Sequence, residues 1–180
     1  MNGYIHDQRH RCSLEVRPDA ALDATLRSLA RDLEARGLLR PGATTAARFH
    51  PHLTLLRASA IPAAVVAHAA ATLHAPVSFS CARTFGDGRI VYLAPDDCTT
   101  LIAVRGEAMS VLDADTLDPL ATSRPWTPHV TLAYVVPEAA REAALELVCA
   151  ALPVSGAWES VQAWDLDVRP TLLLDHVPIA

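Results

Sequence analysis

A five-residue stretch occurs twice in this chain, as Pro51-His52-Leu53-Thr54-Leu55 and again, 77 residues later, as Pro128-His129-Val130-Thr131-Leu132. Polar and apolar residues alternate in both copies, the pattern of a half-buried strand whose successive side chains point to opposite faces. His and Thr then share one face of each strand, with the apolar residues packed behind them. A histidine and a hydroxyl on each of two strands supply an acid, a base and two phosphate-holding groups, the set that phosphoryl chemistry needs.

The chain's 180 residues suffice to bury a core and predict one domain, residues 12–180, built from two halves of about 12–95 and 96–180. Residues 1–11 are polar and rich in His and Arg, which predicts a flexible tail without the apolar stretch of a signal peptide. No apolar run approaches the roughly 20 residues that span a bilayer, so a cytoplasmic location with no membrane partner is expected. Cys12, Cys81, Cys98 and Cys149 are far apart and form no C-x-x-C pair, so they read as small core residues. All 15 basic residues are arginine. Without lysine there is no lysyl-adenylate nucleophile, Schiff-base lysine or Walker A lysine. A net charge of -5 argues against a broad grip on long nucleic acid and leaves a small or end-bound phosphate ester as the partner.

Along the chain, Cys12, Leu14 and Val16 alternate with Ser13, Glu15 and Arg17, predicting a strand that ends at Pro18. Leu22, Leu26, Leu29 and Leu33 then predict a helix over residues 19–36, capped by Asp19 and closed by Gly37. Its pairs Asp23 with Arg27 and Asp32 with Arg36 read as a solvated face. Residues 38–48 read as a loop leading to the first motif. Pro62 opens a helix with an inward stripe of Val65, Val66, Ala69, Ala70 and Leu73. Val77, Phe79 and Cys81 alternate as a strand, residues 85–88 form a turn, and residues 89–93 return as the second arm of a hairpin. Asp96 and Asp97 cap a helix over residues 99–112, and residues 113–125 form a loop beside the cleft. After the second motif, Pro137 starts a helix that Pro153 stops. Residues 158–168 make a long strand, broken by Arg169-Pro170 before residues 171–177 pair back. Both halves thus follow one order of elements, which predicts an α+β, duplicated two-lobe fold of mainly antiparallel sheets flanked by helices, with a central cleft carrying the two H-x-T-x motifs.

With both tetrads, His52-Leu53-Thr54-Leu55 and His129-Val130-Thr131-Leu132, inside such a duplication, the chain resembles the 2H phosphoesterase superfamily, in particular its branch of 2'-5' RNA ligase-like proteins and cyclic phosphodiesterases. The resemblance implies that His52 and His129 face each other across the cleft and act on a 2',3'-cyclic phosphate with no metal and no cofactor, while Thr54 and Thr131 hold nonbridging phosphate oxygens. Attack by water gives hydrolysis; attack by a 5'-hydroxyl gives a 2'-5' linkage without ATP. A catalytically quiet nucleotide- or RNA-binding module of the same fold is the reading from a different class.

Other residues are candidates at the margin. Trp126 and Tyr92 are suited to stacking a base, although core or rim packing is the commoner role for such rings. Arg48, Arg57 and Arg124 flank the motifs and suit a second phosphate or plain solvation. His50 is an accessory candidate. His6, His10, His68, His74 and His176 have no sequence partner that suggests a metal site.

Overall fold

The computed structural model describes residues 12–40, 49–73, 76–166 and 172–179. The expected tail with His6 and His10, the loop residues 41–48 with Arg48, and also His74, Val168 and the Arg169-Pro170 break lie outside the described residues. The fold is α+β, a curled antiparallel sheet flanked by helices.

The chain opens with strand β1 (Cys12–Pro18) and helix α1 (Ala20–Ala35). Asp19 caps α1 as its sequence position demands: one carboxylate oxygen accepts from the Leu22 N–H at 2.7 Å, the other from the Ala157 N–H at 2.6 Å. The cap therefore also fastens the helix to a distant strand. Leu22, Leu26, Leu29 and Leu33 are all buried, and Gly37 ends the helix at φ 67°. Strand β2 (Leu53–Ala58) follows, then helix α2 (Ala63–Thr72), whose predicted stripe is buried in full.

The next segment departs from the expected hairpin. Residues 77–81 were to form its first arm; instead β3 (Pro76–Phe79) pairs with a distant strand, and a separate β4 (Ala82–Phe85) pairs with β5 (Ile90–Leu93). Asp96 fixes the break. Its carboxylate accepts from the Ser78 hydroxyl at 2.7 Å, the Ser80 hydroxyl at 2.8 Å and the Ser80 N–H at 2.9 Å. Asp96 is thus a clamp on the β3–β4 junction and not a helix cap, while Asp97 accepts from the Thr99 N–H at the start of α3 (Thr99–Ser110).

Residues 113–125 are more ordered than the expected loop. They hold a 3-10 turn (Ala114–Thr116) and a short helix α4 (Pro119–Ser123), and they clip onto the end of β2 through Ser59 N–H to Thr116 O and Asp118 N–H to Arg57 O. Strand β6 (Val130–Ala133), helix α5 (Arg141–Ala150), strand β7 (Val154–Asp165) and strand β8 (Leu172–Pro178) complete the chain. β7 begins four residues before the predicted start, directly after Pro153.

The sheet order is β3-β7-β1-β2-β6-β5-β4, with β8 also pairing to β7. Strands from the two halves interleave, since β3 pairs with β7 and β6 lies between β2 and β5. One buried apolar cluster runs beneath all of them. β1, whose polar and apolar residues alternate, is buried on both faces, Ser13 and Glu15 included, and β2 and β7 pair along its two edges. The cysteines are likewise not uniformly core: Cys12 is buried, Cys81 and Cys98 are half-buried, and Cys149 is exposed. No described helix is long and apolar enough to cross a membrane.

Candidate active site

The two motif strands lie side by side at the centre of the sheet, where Leu53 of β2 opposes Val130 of β6 in antiparallel register. Continuing that register by one residue each way sets His52 opposite Thr131 and Thr54 opposite His129, and opposed residues share a face. All four line one cavity of about 280 Å³. Both histidines stand one residue ahead of their strands, and one residue pair joins β2 to β6.

The imidazoles are held alike. His52 Nδ1 lies 2.8 Å from the His50 carbonyl oxygen, and His129 Nδ1 lies 2.8 Å from the Thr127 carbonyl oxygen. A carbonyl only accepts, so each Nδ1 carries a proton and each Nε2 is left for chemistry. The proline inside each motif makes this geometry possible. A residue preceding proline is pushed to extended backbone, and this directs the carbonyl two residues back toward the ring.

Their surroundings differ. His129 sits against the edges of Phe85 and Tyr92, with ring centroids at 4.9 and 5.4 Å. Burial pushes its pKa below the ordinary 6.5, opposed by its bond to the Thr127 carbonyl and aided by the charge of His52. His52 is about a third exposed, and its Nε2 lies 3.8 Å from the buried carboxylate of Glu15. Glu15 faces the site because β1 sets it opposite Thr54, and the Ser13 hydroxyl donates to it at 2.6 Å.

Helix α1 supports the approach to His52. Arg27 pairs with Asp23, donates to the Phe49 carbonyl, and contacts His50 Nδ1 at 3.1 Å. The Asp23–Arg27 pair is thus no solvated face; it pins the segment that delivers the first motif. Desolvation and Arg27 together push the His50 pKa down. His50 contributes its carbonyl to the site and does not line the cavity.

One end of the cavity is walled by Arg57, Asp118, Ala121, Arg105 and Trp126. Arg105 donates from Nε to the Leu55 carbonyl at 3.0 Å and from Nη2 to the Ala121 carbonyl at 2.7 Å, with its guanidinium 5.0 Å from the centre of the Trp126 ring. Tyr134 also lines the cavity, where the chain turns through Val135 at φ 58°. For a β-branched residue that conformation stores roughly 1–3 kcal/mol of strain.

Of the sequence candidates, His52, Thr54, His129, Thr131, Trp126 and Arg57 meet in this cavity. Tyr92 does not line it. It is 5% exposed and stacks on Phe85 at 3.9 Å, so it buttresses His129 and offers no face to a base. Arg124 is exposed away from the cavity. His68 pairs with Glu107 at 2.8 Å on the α2–α3 surface, and His176 lies on β8. Among the described residues no group of three or more His, Cys, Asp or Glu is placed to hold a metal ion. Sequence reasoning missed Glu15, Arg105, Asp118 and Tyr134. Only Tyr134 left a trace, since it follows its motif by the same interval as Arg57 follows the first.

The family model of the 2'-5' RNA ligase superfamily matches residues 58–169, more than half of the chain, including the second motif and starting just after the first. Among solved structures, the chain is similar to E. coli LigT complexed with 3'-AMP at 17% identity and TM-score 0.61, over 95% of this chain and 98% of that one. It is similar to TT0787 of Thermus thermophilus at 18% identity and TM-score 0.54, over 94% and 97% of the two chains. A phosphoesterase structure matches at 14% identity and TM-score 0.53, over 95% and 99%. No curated protein sequence matches the chain.

Proposed function

The chain belongs to the 2'-5' RNA ligase superfamily, and from that premise we propose that it is a phosphodiesterase acting on 2',3'-cyclic phosphate ends of RNA or small cyclic nucleotides, with His52 and His129 as its acid and base. The observation that carries this reading is that His52, Thr54, His129 and Thr131, from the neighbouring strands joined at Leu53 and Val130, line one cavity. A phosphorus atom between the strands then has an imidazole on two sides and a hydroxyl beside each.

The unequal surroundings of the two histidines support a division of roles. His129, desolvated by Phe85 and Tyr92, favours the neutral ring, and its Nε2 lone pair takes the proton of the attacking water. His52, whose Nε2 lies 3.8 Å from the Glu15 carboxylate, is then the acid that delivers a proton to the departing ribose oxygen. The Thr54 and Thr131 hydroxyls donate to the nonbridging oxygens, where charge grows in the transition state. Replacing water by an RNA 5'-hydroxyl in the same steps forms a 2'-5' linkage.

The test is incubation with 2',3'-cyclic AMP in the presence of EDTA, with product followed by chromatography. Chelator-resistant turnover is expected, and His52→Ala and His129→Ala are each expected to lower it by a factor of roughly 10² to 10⁴. Near-wild-type rates in either variant would overturn the two-histidine reading, and binding without turnover would indicate a quiet binding module.

A further inference from the structure

The Arg105 end of the cavity plays no part in the proton transfers described above, yet it is a built feature. Arg105 is half-buried on α3, and two backbone carbonyls from different elements, Leu55 on β2 and Ala121 on α4, fix the plane of its guanidinium. The Trp126 ring supports that plane from one side, an arrangement that presents the planar fork of an arginine edge-on to a ligand. Among the described residues Arg105 makes no ion pair and its Nη1 no hydrogen bond. Desolvation, with no carboxylate set against it, lowers its pKa. A fixed, partly desolvated cation is unfavourable by itself and is relieved by an anion.

Arg57 adds a second guanidinium on the same wall, exposed and without an ion pair among the described residues. Asp118 supplies one carboxylate to that wall, so two positive charges meet one negative charge. Arg57 lies three residues beyond Thr54 along β2, about 10 Å at strand rise, while Arg105 grips the carbonyl of Leu55, next to Thr54 itself. Both guanidiniums thus border the cavity that the two histidines line.

We propose that Arg105, held by Leu55, Ala121 and Trp126 and assisted by Arg57, forms a second phosphate site, so that preferred substrates carry a phosphate on the 5'-oxygen of the nucleoside whose cyclic phosphate lies between the histidines. The proposal rests on the reading of the histidine pair as the cyclic-phosphate centre. Trp126 then serves as the platform of an arginine. The 5'-phosphate has two sources, a terminal phosphomonoester or the diester linking the last nucleoside to an RNA chain, and both present the same oxygens to a guanidinium.

The experiment compares kcat/KM for adenosine 2',3'-cyclic phosphate, its 5'-phosphorylated form, and the dinucleotide ApA ending in a 2',3'-cyclic phosphate. Wild-type protein is expected to favour the substrates with a 5'-phosphoryl group by roughly tenfold or more, the yield of one charge-assisted contact. A gain with the dinucleotide assigns the RNA chain as the source, and a gain confined to the monoester assigns the terminal phosphate. The ratio is expected to collapse toward one in Arg105→Met and to shrink in Arg57→Gln, whose exposed side chain leaves the fold untouched if Arg105→Met proves unstable. A parallel calorimetric titration needs no turnover: adenosine 2',5'-bisphosphate is expected to bind about tenfold tighter than 2'-AMP, with the difference lost in the same variants. Turnover of all three substrates at equal kcat/KM, or a preference unchanged in both variants, overturns the second site and leaves the histidine reading standing. Tighter bisphosphate binding with no turnover of any substrate overturns the histidine chemistry and keeps the anion site.

Discussion

Replacing each histidine by asparagine separates proton transfer from architecture. The asparagine side-chain amide reproduces the Nδ1–H donor, so the bond to the Thr127 or His50 carbonyl, 2.8 Å in both cases, is retained. Nothing replaces Nε2. The loss in turnover is then the acid/base term, about 10² to 10⁴ for each variant, or about 2.7–5.5 kcal/mol of transition-state stabilisation. Stability, by contrast, should divide the pair. His129→Asn gives up two aromatic edge contacts, with Phe85 at 4.9 Å and Tyr92 at 5.4 Å. At about 0.5–1.5 kcal/mol each these sum to about 1–3 kcal/mol, a fall in Tm of roughly 2–12 °C for a chain of this size. His52 makes no aromatic contact among the described residues and is partly exposed, so His52→Asn should stay within about 0.5 kcal/mol of wild type. Steady-state turnover of 2',3'-cyclic AMP and thermal unfolding by circular dichroism measure the two quantities on the same samples. More than a tenth of wild-type turnover in either variant refutes the acid/base argument, and equal Tm shifts refute the aromatic cradle.

With His129 as the base, the acid limb of the kcat/KM profile falls below pH 6.5, because desolvation lowers this pKa and the base works only when neutral. Phe85→Ala admits water to the ring and should move that limb upward; a profile unmoved by this change excludes His129 as its source. The same shift has a stability consequence: the folded chain binds fewer protons than the unfolded one below pH 6.5, so this histidine lowers stability as pH falls from there. Gly156→Ala would place a Cβ 2.7 Å from Leu22 Cβ and 3.1 Å from the Asp19 carboxylate that caps α1. A loss of roughly 1–3 kcal/mol is expected from that overlap, read as a fall in Tm, and an unchanged Tm would show that β7 and α1 are less tightly docked than described.

Which parts were legible in the sequence follows from the range of the forces involved. The α1 span was readable because four leucines at helical spacing, an Asp cap and a terminating glycine are all local signals. The hairpin was misread because the break at Ser80 is made by Asp96, sixteen residues away, whose carboxylate gathers three donors. Asp23 and Arg27 were assigned to a solvated face because their spacing is shared by surface pairs everywhere. Only the packing of α1 over residues 49–50 gives Arg27 its second set of partners. Tyr92 illustrates the same limit: alternation places it on a strand, and the stack with Phe85 decides that it is buried.

The sequence alone determined that two identical His-x-Thr sets lie on strands, each behind a proline, because strand alternation and the geometry before proline depend on neighbouring residues only. Tertiary structure decided that the two sets line one cavity, that Glu15 stands beside His52 and aromatic rings beside His129, and that Arg105 lines the same cavity. Those facts come from strand register and from helix docking across the sheet, where residues far apart in the chain compete for the same volume. The equivalence of the two motifs is therefore a property of the sequence, and the difference between their surroundings is a consequence of packing.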